Sequence, residues 1–136
     1  MWIFQFGTER NNGGLCVQKD DMTEVYEAMK NADSIVLASP VYYYTWTSLM
    51  KRMIDRTFAL QSDLENKKFY LISAGTAPEE KYMQTMINSF SQYVSCFAEK
   101  GNKEAGIIFA YGANGPSDVK IMSVLDEAYQ MGKAVE

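Results

Sequence analysis

The 136-residue sequence contains no histidine and two cysteines. Without histidine the chain cannot form a Ser-His-Asp triad, use an imidazole as general base or build a mixed Cys/His zinc site. The two cysteines, Cys16 and Cys96, are far apart and show no partner spacing, so neither a disulfide framework nor a Cys-rich metal site is indicated, and a reducing, cytoplasmic location is expected. Any chemistry must therefore use carboxylates, hydroxyls, the backbone or a bound cofactor.

The chain also lacks an excess of positive charge. Its formal net charge is −4, from 13 basic and 17 acidic residues, and its basic pairs, Lys51-Arg52 and Lys67-Lys68, are short. Nucleic acids and anionic membranes recruit clustered Lys and Arg, so neither is expected as a partner. No apolar run reaches membrane-spanning length, and the N-terminal "MWIFQFG" lacks the basic start and cleavage pattern of a signal peptide.

What the chain does contain is a regular alternation of helical and strand patterns after residue 20. Asp21 and Glu24 have the spacing of a capping box, and the apolar spacing that follows predicts a helix ending near Asn31. Apolar runs at 34–39, 68–74 and 105–111 predict three buried strands. The later helices are predicted from three apolar stripes: Trp46, Leu49, Met50, Met53, Ile54 and Phe58; Met83, Met86, Ile87, Phe90, Tyr93, Val94 and Phe97; and Met122, Leu125 and Tyr129.

Strands that are apolar on both faces and alternate with helices predict a parallel sheet covered on both sides. The predicted fold class is therefore α/β, a three-layer, doubly wound parallel sheet, and residues 1–136 are expected to form a single domain. Pro78 favours the first turn of the helix after the second strand, and Gly101 is expected to end that helix. Cys96 falls on the same helix, where we expect a small buried residue.

Ligands bind such sheets at the carboxyl ends of the strands. Three loops are predicted there, at residues 40–45, 75–80 and 112–117, and they carry aromatic and small residues instead of strong acids or bases. Such a rim suits a flat, conjugated ligand, because aromatic rings can pack on it and backbone amides can reach its polar edge. The sequence leaves open the alternative that Tyr42, Tyr43 and Tyr44 serve only packing.

The segment "ADSIVLASPVYYYTWTSLMKRMIDR" resembles a motif of the NADPH-dependent FMN reductases and related flavodoxin-like NAD(P)H oxidoreductases. The matching positions are Ala32, Asp33, Ser39, Pro40, Tyr42, Ser48, Lys51, Asp55 and Arg56. The preceding "CVQKDDM" is similar to the corresponding segment of the iron-sulfur flavoprotein branch. The resemblance implies a flavodoxin-like fold with FMN at the strand ends, contacted by Ser39, Pro40, Val41, Tyr42, Tyr43, Tyr44, Gly75, Thr76 and Ala77.

The same resemblance implies an oxidoreductase that passes hydride from NAD(P)H through FMN to a small-molecule electron acceptor, as flavin and quinone reductases do, in a homodimer or homotetramer. The flavin would supply the redox chemistry and the protein its position and electrostatics, so no catalytic residue is predicted. Asp55 and Arg56 are expected to form structural ion pairs. No metal site is predicted, and no iron-sulfur cluster, because the cysteine-rich stretch of that branch is reduced to Cys16.

The resemblance is incomplete at the N-terminus, where the first βαβ unit is too short. Either "MWIFQFG" is the first strand and "GTERNNGG" a degenerate phosphate loop, or the whole first unit is missing and these residues are a connector. In the first case "MWIFQF" would fill the sheet position beside strand 34–39. Glu9 would bring a negative charge toward the phosphate. The alternative function is therefore a truncated, cofactor-free domain that acts as an oligomeric binding or structural module.

Overall fold

The computed structural model describes residues 20–115 and 117–135. Three strands in this part of the chain, β1 (Ser34–Pro40), β2 (Lys68–Gly75) and β3 (Lys103–Tyr111), pair in parallel in the order β1-β2-β3. Each corresponds to one of the three apolar runs, so the predicted strands and their parallel arrangement are confirmed. The predicted first strand, the phosphate loop and Cys16 lie outside the described residues.

Four α-helices flank the sheet in the same described part. They are α1 (Met22–Asn31), α2 (Ser48–Arg56), α3 (Gln84–Ser95) and α4 (Val124–Lys133). Apolar residues of α1, α2 and α3 pack into one core with β1 and β2, whereas α4 packs into a second core with β2 and β3. Helices therefore cover both faces of the sheet, and the predicted three-layer, doubly wound α/β architecture is confirmed.

The larger core depends on side chains that the strand and helix periods direct inward. Phe69 and Leu71 of β2 and Met86 and Phe90 of α3 are all fully buried. Removing a side chain of this size from water contributes roughly 1.5–3 kcal/mol. The apolar face of α3 was predicted from its spacing, and the burial of these residues confirms it.

Strand β1 differs from the expectation that every strand is buried on both faces. Ile35 and Leu37 point into the larger core, but Val36, between them, is 51% exposed. The reason is that α4 packs mainly over β3 and leaves Val36, on the same face of β1, only half covered.

The start of α1 corrects the predicted capping box. The side chain of Asp21 makes no capping hydrogen bond. Instead, the carboxylate of Asp20 accepts a bond from the backbone N–H of Met22 at 3.1 Å and pairs with both terminal nitrogens of Arg56, at 2.7 and 2.8 Å. Arg56 lowers the pKa of Asp20 below its ordinary value. The predicted ion pair of Arg56 is confirmed, and Asp55 pairs with Lys51.

The predicted inward face of α2 is wrong at two positions. Leu49 and Phe58 are 68% and 62% exposed. The α-helix ends at Arg56 and continues as a 3₁₀ turn, Thr57–Leu60. A 3₁₀ turn has 3.0 residues per turn instead of 3.6, so the inward direction changes, and Leu60 is buried where the α-helical spacing pointed to Phe58.

Two expectations about the region around α3 are corrected. Pro78 does not start this helix, because a loop and a 3₁₀ turn, Glu80–Tyr82, precede α3. Cys96 is exposed, and its thiol donates to the backbone carbonyl of Gln92. The prediction for Gly101 is confirmed, since it has a left-handed φ of 76° immediately after the last turn.

The predicted stripe of the last helix is confirmed at Met122, which packs against the second core, and is wrong at its other two positions. Leu125 and Tyr129 are 47% and 63% exposed. The residues that pack on the sheet are Val124, Ala128 and Met131. Met122 has an extended backbone and lies before the helix, which begins at Val124, so the helical spacing is counted from Val124 and not from Met122.

Candidate functional site

A cleft of about 370 Å³ opens beyond the carboxyl ends of β1 and β2. The loop after β1 forms one wall and the loop after β2 forms the other. None of the described side chains that line it carries a charge. The lining residues are Val41, Tyr43, Tyr44, Gly75, Thr76, Ala77, Pro78, Tyr82 and Met83.

The structure brings most of the predicted cofactor-contact residues together in this cleft. Those that line it are Val41, Tyr43, Tyr44, Gly75, Thr76 and Ala77. The remaining three, Ser39, Pro40 and Tyr42, do not. Ser39 is buried at the end of β1, Pro40 lines a separate apolar depression on the α4 side of the sheet, and Tyr42 is 62% exposed.

Three lining residues were not predicted. The sequence pattern places Pro78 and Met83 in the following helix, and it gives no signal for Tyr82, which lies in the 3₁₀ turn that precedes α3. Near the rim, the ammonium group of Lys81 is 4.9 Å from the centroid of the Tyr82 ring and 2.9 Å from the carboxylate of Glu79. The cleft therefore has a third tyrosine, Tyr82, whose ring lies beside the ion pair of Lys81 and Glu79.

The consecutive tyrosines form a tight reverse turn at the entrance of the cleft. The backbone N–H of Tyr42 donates to the carbonyl of Thr45 at 3.0 Å, and the N–H of Thr45 donates back at 3.2 Å. The two central residues, Tyr43 and Tyr44, have φ values of 49° and 67°. Reciprocal bonds around two residues of positive φ are the pattern of a type I′ turn. We refer to residues 42–45 as the tyrosine turn.

The tyrosine turn stores backbone strain beside the cleft. A side chain in the left-handed region costs roughly 1–2 kcal/mol per residue, and type I′ turns therefore favour Asn-Gly at these positions. Burial does little to offset this cost, because Tyr43 and Tyr44 are 97% and 58% exposed. Strain of this kind concentrates at ligand sites, where the conformation serves binding.

The opposite wall is held from behind by the third predicted loop. The N–H groups of Gly112 and Ala113 donate to the carbonyls of Ala77 and Gly75, at 2.8 and 3.0 Å. Gly112 and Ala113 thus support the cleft without lining it. The carbonyls of Gly75 and Ala77 are thus occupied by the supporting loop. The N–H groups of Thr76 and Ala77 donate to no described residue, so they are available to a ligand.

A side chain at Gly75, at the start of this wall, would press on the tip of Met83. A Cβ atom on Gly75 would lie 2.7 Å from the terminal methyl of Met83 and 3.4 Å from the Cβ of Val41.

Behind the cleft, at the end of β3, partial burial raises the pKa of Tyr111, with a smaller contribution from the carboxylate of Glu80. Tyr111 is therefore neutral at physiological pH.

The described residues show neither a metal site nor a membrane span. Across residues 20–115 and 117–135, no three His, Cys, Asp or Glu side chains are grouped so that they could hold a metal ion. None of the helices in these ranges is long and apolar enough to cross a membrane.

Sequence comparison connects this chain with flavin proteins. The family model of the NADPH-dependent FMN reductases matches residues 4–109. An iron-sulfur flavoprotein of Methanocaldococcus jannaschii is 30% identical over 132 residues, 90% of this chain and 66% of the relative. Iron-sulfur flavoproteins of Archaeoglobus fulgidus and Methanosarcina thermophila are 51% identical over 43 residues and 36% over 78, which cover 32% and 53% of this chain. The matches span only 20% and 41% of these two relatives.

Solved structures share the architecture at low sequence identity. The Trp repressor binding protein from Bacillus subtilis superposes with a TM-score of 0.68 at 19% identity, over 84% of this chain and 71% of its own. An FMN-dependent NADH-azoreductase from Bacillus anthracis, solved in complex with FMN, gives 0.63 at 13% identity, over 93% and 70%. At these identities the likeness shows the fold.

Proposed function

Because the chain belongs to the NADPH-dependent FMN reductase family and has its flavodoxin-like fold, we propose that it binds FMN in the cleft between the tyrosine turn and residues 75–83. It would act there as an oxidoreductase that passes hydride from NAD(P)H to a small-molecule acceptor such as a flavin or quinone. The observation that carries the proposal is the uncharged, aromatic lining of the cleft at the carboxyl ends of two parallel strands.

The residues of the cleft fit a flat heteroaromatic ring. Tyr43 and Tyr44 offer exposed ring faces on one wall, and aromatic rings stack on such systems with a gain of about 0.5–1.5 kcal/mol per pair. The opposite wall offers the N–H groups of Thr76 and Ala77, which donate to no described residue and suit the carbonyl and nitrogen acceptors at a polar ring edge. Bound FMN would supply the hydride chemistry, and these residues would bind the ring, orient it and shield part of it from water.

The co-substrate and the oligomeric state are proposed from membership of the family. NAD(P)H is the proposed hydride donor, as the name of the family implies. A homodimer or homotetramer and a cytoplasmic location are proposed as well. No iron-sulfur cluster is proposed, because the whole sequence contains two cysteines, whereas such clusters are commonly held by four thiolates.

Titration of the purified protein with FMN tests the proposal. We expect one flavin per chain, detected by quenching of flavin fluorescence and by a shifted visible spectrum. Tyr82→Ala, which removes a lining ring, should weaken FMN binding about two- to tenfold. Tyr129→Ala is the matched control, because Tyr129 is an exposed tyrosine on α4, on the other side of the sheet. This variant should bind FMN with native affinity.

Oxidation of NADH and NADPH by the FMN-loaded protein then tests the activity. We expect flavin reduction on addition of at least one of the two nucleotides under anaerobic conditions. A protein that purifies colourless and takes up no added FMN would contradict the proposal and support the cofactor-free module. One observation favours that second function: among the described residues, no side chain that lines the cleft supplies a positive charge for the phosphate.

A further inference from the structure

One hydroxyl group joins the two ends of the segment that carries the tyrosine turn. The Oγ of Ser39 accepts a hydrogen bond from the backbone N–H of Thr47 at 3.3 Å and donates to the carbonyl of Pro40 at 2.9 Å. Pro40 is the last residue of β1 and Thr47 is the residue immediately before α2, so the two flank the loop that projects the turn. Ser39 itself is only 4% exposed.

The position of Ser39 is fixed by the sheet. Ser73, its register partner on β2, is equally buried and donates from its Oγ to the carbonyl of Ser39 at 2.6 Å. On the other side, the Oγ1 of Thr47 accepts from the N–H of Met50 and caps α2. The hydroxyl of Ser39 therefore connects the end of a central strand to the start of a helix, across the base of the loop.

The tyrosine turn has few other contacts that could hold it. Tyr43 is almost fully exposed, and the left-handed backbone of Tyr43 and Tyr44 is intrinsically unfavourable. Two other anchors hold the ends of the loop separately. At the entrance the N–H of Val41 donates to the carbonyl of Ala74 at 3.0 Å, and at the exit the buried Trp46 donates from its indole N–H to the Oγ of Ser89 at 2.8 Å. Neither of these two bonds connects the entrance to the exit, and the hydroxyl of Ser39 does.

We propose that Ser39 is a positioning residue of the flavin site: its hydroxyl closes residues 40–47 into one conformation and thereby presents Tyr43 and Tyr44 to the cleft. Ser39 acts without touching the cofactor, since it is buried and does not line the cleft. The part of this inference that concerns FMN rests on the proposed function. The part that concerns the loop does not, because the hydrogen bonds lie within the chain.

Hydrogen–deuterium exchange without flavin tests the loop. In Ser39→Ala, amide exchange of residues 41–47 should accelerate roughly tenfold, because the bond to the Thr47 N–H is lost and the Pro40 carbonyl loses its partner. Exchange in β2 and β3 should stay within about twofold. Ser39→Thr keeps the hydroxyl and should restore protection. Ser73→Ala is the matched control: it deletes an equally buried hydroxyl that joins two strands and not the two loop ends.

FMN titration of the same variants tests the link to the cofactor. Ser39→Ala should bind FMN about three- to tenfold more weakly and give an altered visible circular dichroism of the bound flavin, while Ser39→Thr should match the native chain. If Ser39→Ala does not fold, Ser39→Cys takes its place, because a thiol of similar shape bonds only weakly.

The outcomes separate the two proposals. Native exchange of residues 41–47 in Ser39→Ala would overturn the inference, whatever the flavin does. Faster exchange with native FMN affinity and circular dichroism would overturn the positioning role. If the native chain binds no FMN, the proposed function and the positioning role both fail, and faster exchange would then support only the closure of the loop by Ser39.

Discussion

Replacing the two central residues of the tyrosine turn by the pair that its backbone favours should stabilise the protein and weaken FMN binding. The double variant is Tyr43→Asn with Tyr44→Gly. Asparagine and glycine adopt positive φ readily, and Asn-Gly is the preferred pair of type I′ turns. The perturbation therefore keeps the observed backbone, at φ values of 49° and 67°, and removes the two rings.

The size of the stability change follows from the strain and the exposure. Relieving two left-handed tyrosines gains roughly 2–4 kcal/mol. Two effects oppose this gain. Glycine raises the conformational entropy of the unfolded chain, which lowers the free energy of unfolding by about 0.5–1 kcal/mol. Loss of the partial burial of Tyr44, which is 58% exposed, lowers it by a similar amount. Because Tyr43 is 97% exposed, its removal costs almost no packing. The net gain in the free energy of unfolding should be about 1 kcal/mol, or a rise in Tm of roughly 3–5 °C.

FMN affinity should change in the opposite direction. Loss of two stacking rings, at about 0.5–1.5 kcal/mol each, weakens FMN binding roughly five- to a hundredfold. Urea unfolding of the flavin-free protein measures the stability, and fluorescence titration measures the affinity. Tyr42→Asn is the matched control, since Tyr42 is in the same turn and 62% exposed but has neither a positive φ nor a place in the cleft lining. It should leave FMN affinity unchanged and stability within about 0.5 kcal/mol.

Two results would refute this reasoning. A double variant that is less stable than the native chain would show that the turn is not strained in the way its φ values indicate. A more stable double variant that binds FMN with native affinity would show that the rings of Tyr43 and Tyr44 do not contact the flavin.

Three further predictions concern the support of the cleft and the core. Gly75→Ala should lower the free energy of unfolding by about 1–2 kcal/mol and weaken FMN binding, because the added methyl displaces the tip of Met83; urea unfolding and FMN titration measure the two effects. Asn102→Ala should cost about 3 kcal/mol or more in urea unfolding. The buried side-chain amide of Asn102 donates to two carbonyls at 2.7 and 2.9 Å and accepts a backbone N–H at 2.8 Å, and all three partners would lose their bond. Burial raises the pKa of Tyr93 above 10.0, because the folded state favours the neutral phenol. The stability that the neutral Tyr93 contributes is therefore full below about pH 10 and is lost as pH rises through the pKa of the folded state. Tyr93→Phe should remove that alkaline loss, seen by comparing urea unfolding at about pH 8 and pH 10.5, although it also removes the 3.0 Å bond to Thr57.

The sheet could be predicted from the sequence because its signals are local. Each strand is a continuous apolar run, and the order of strands and helices restricts the topology to a parallel sheet covered on both faces. The inward face of α3 followed from its spacing in the same way. The failures occurred where the period changes within an element, as at Phe58, or where the helix start set the phase, as at Leu125.

The conformation of the cleft could not be predicted, because it depends on contacts between distant residues. Nothing in "VYYYT" indicates a type I′ turn, since the residues that normally mark this turn are absent. The bond between Ser39 and Thr47 crosses eight positions, and that between Trp46 and Ser89 crosses 43. Sequence pattern placed the loops at the strand ends but gave no information about which side chains face the cleft.

Sheet and site therefore depend on different kinds of interaction. The fold is held by buried apolar side chains of β2 and α3, none of which is a tyrosine of the cleft. The cleft is shaped by a few hydrogen bonds at loop bases and by a turn whose backbone opposes stability. Changes at Tyr43 and Tyr44 should thus alter binding without unfolding the chain, whereas changes at Phe69 or Phe90 should unfold it. A selection for stability alone would relax the tyrosine turn first, and retention of two left-handed tyrosines is the feature expected of a turn kept for binding.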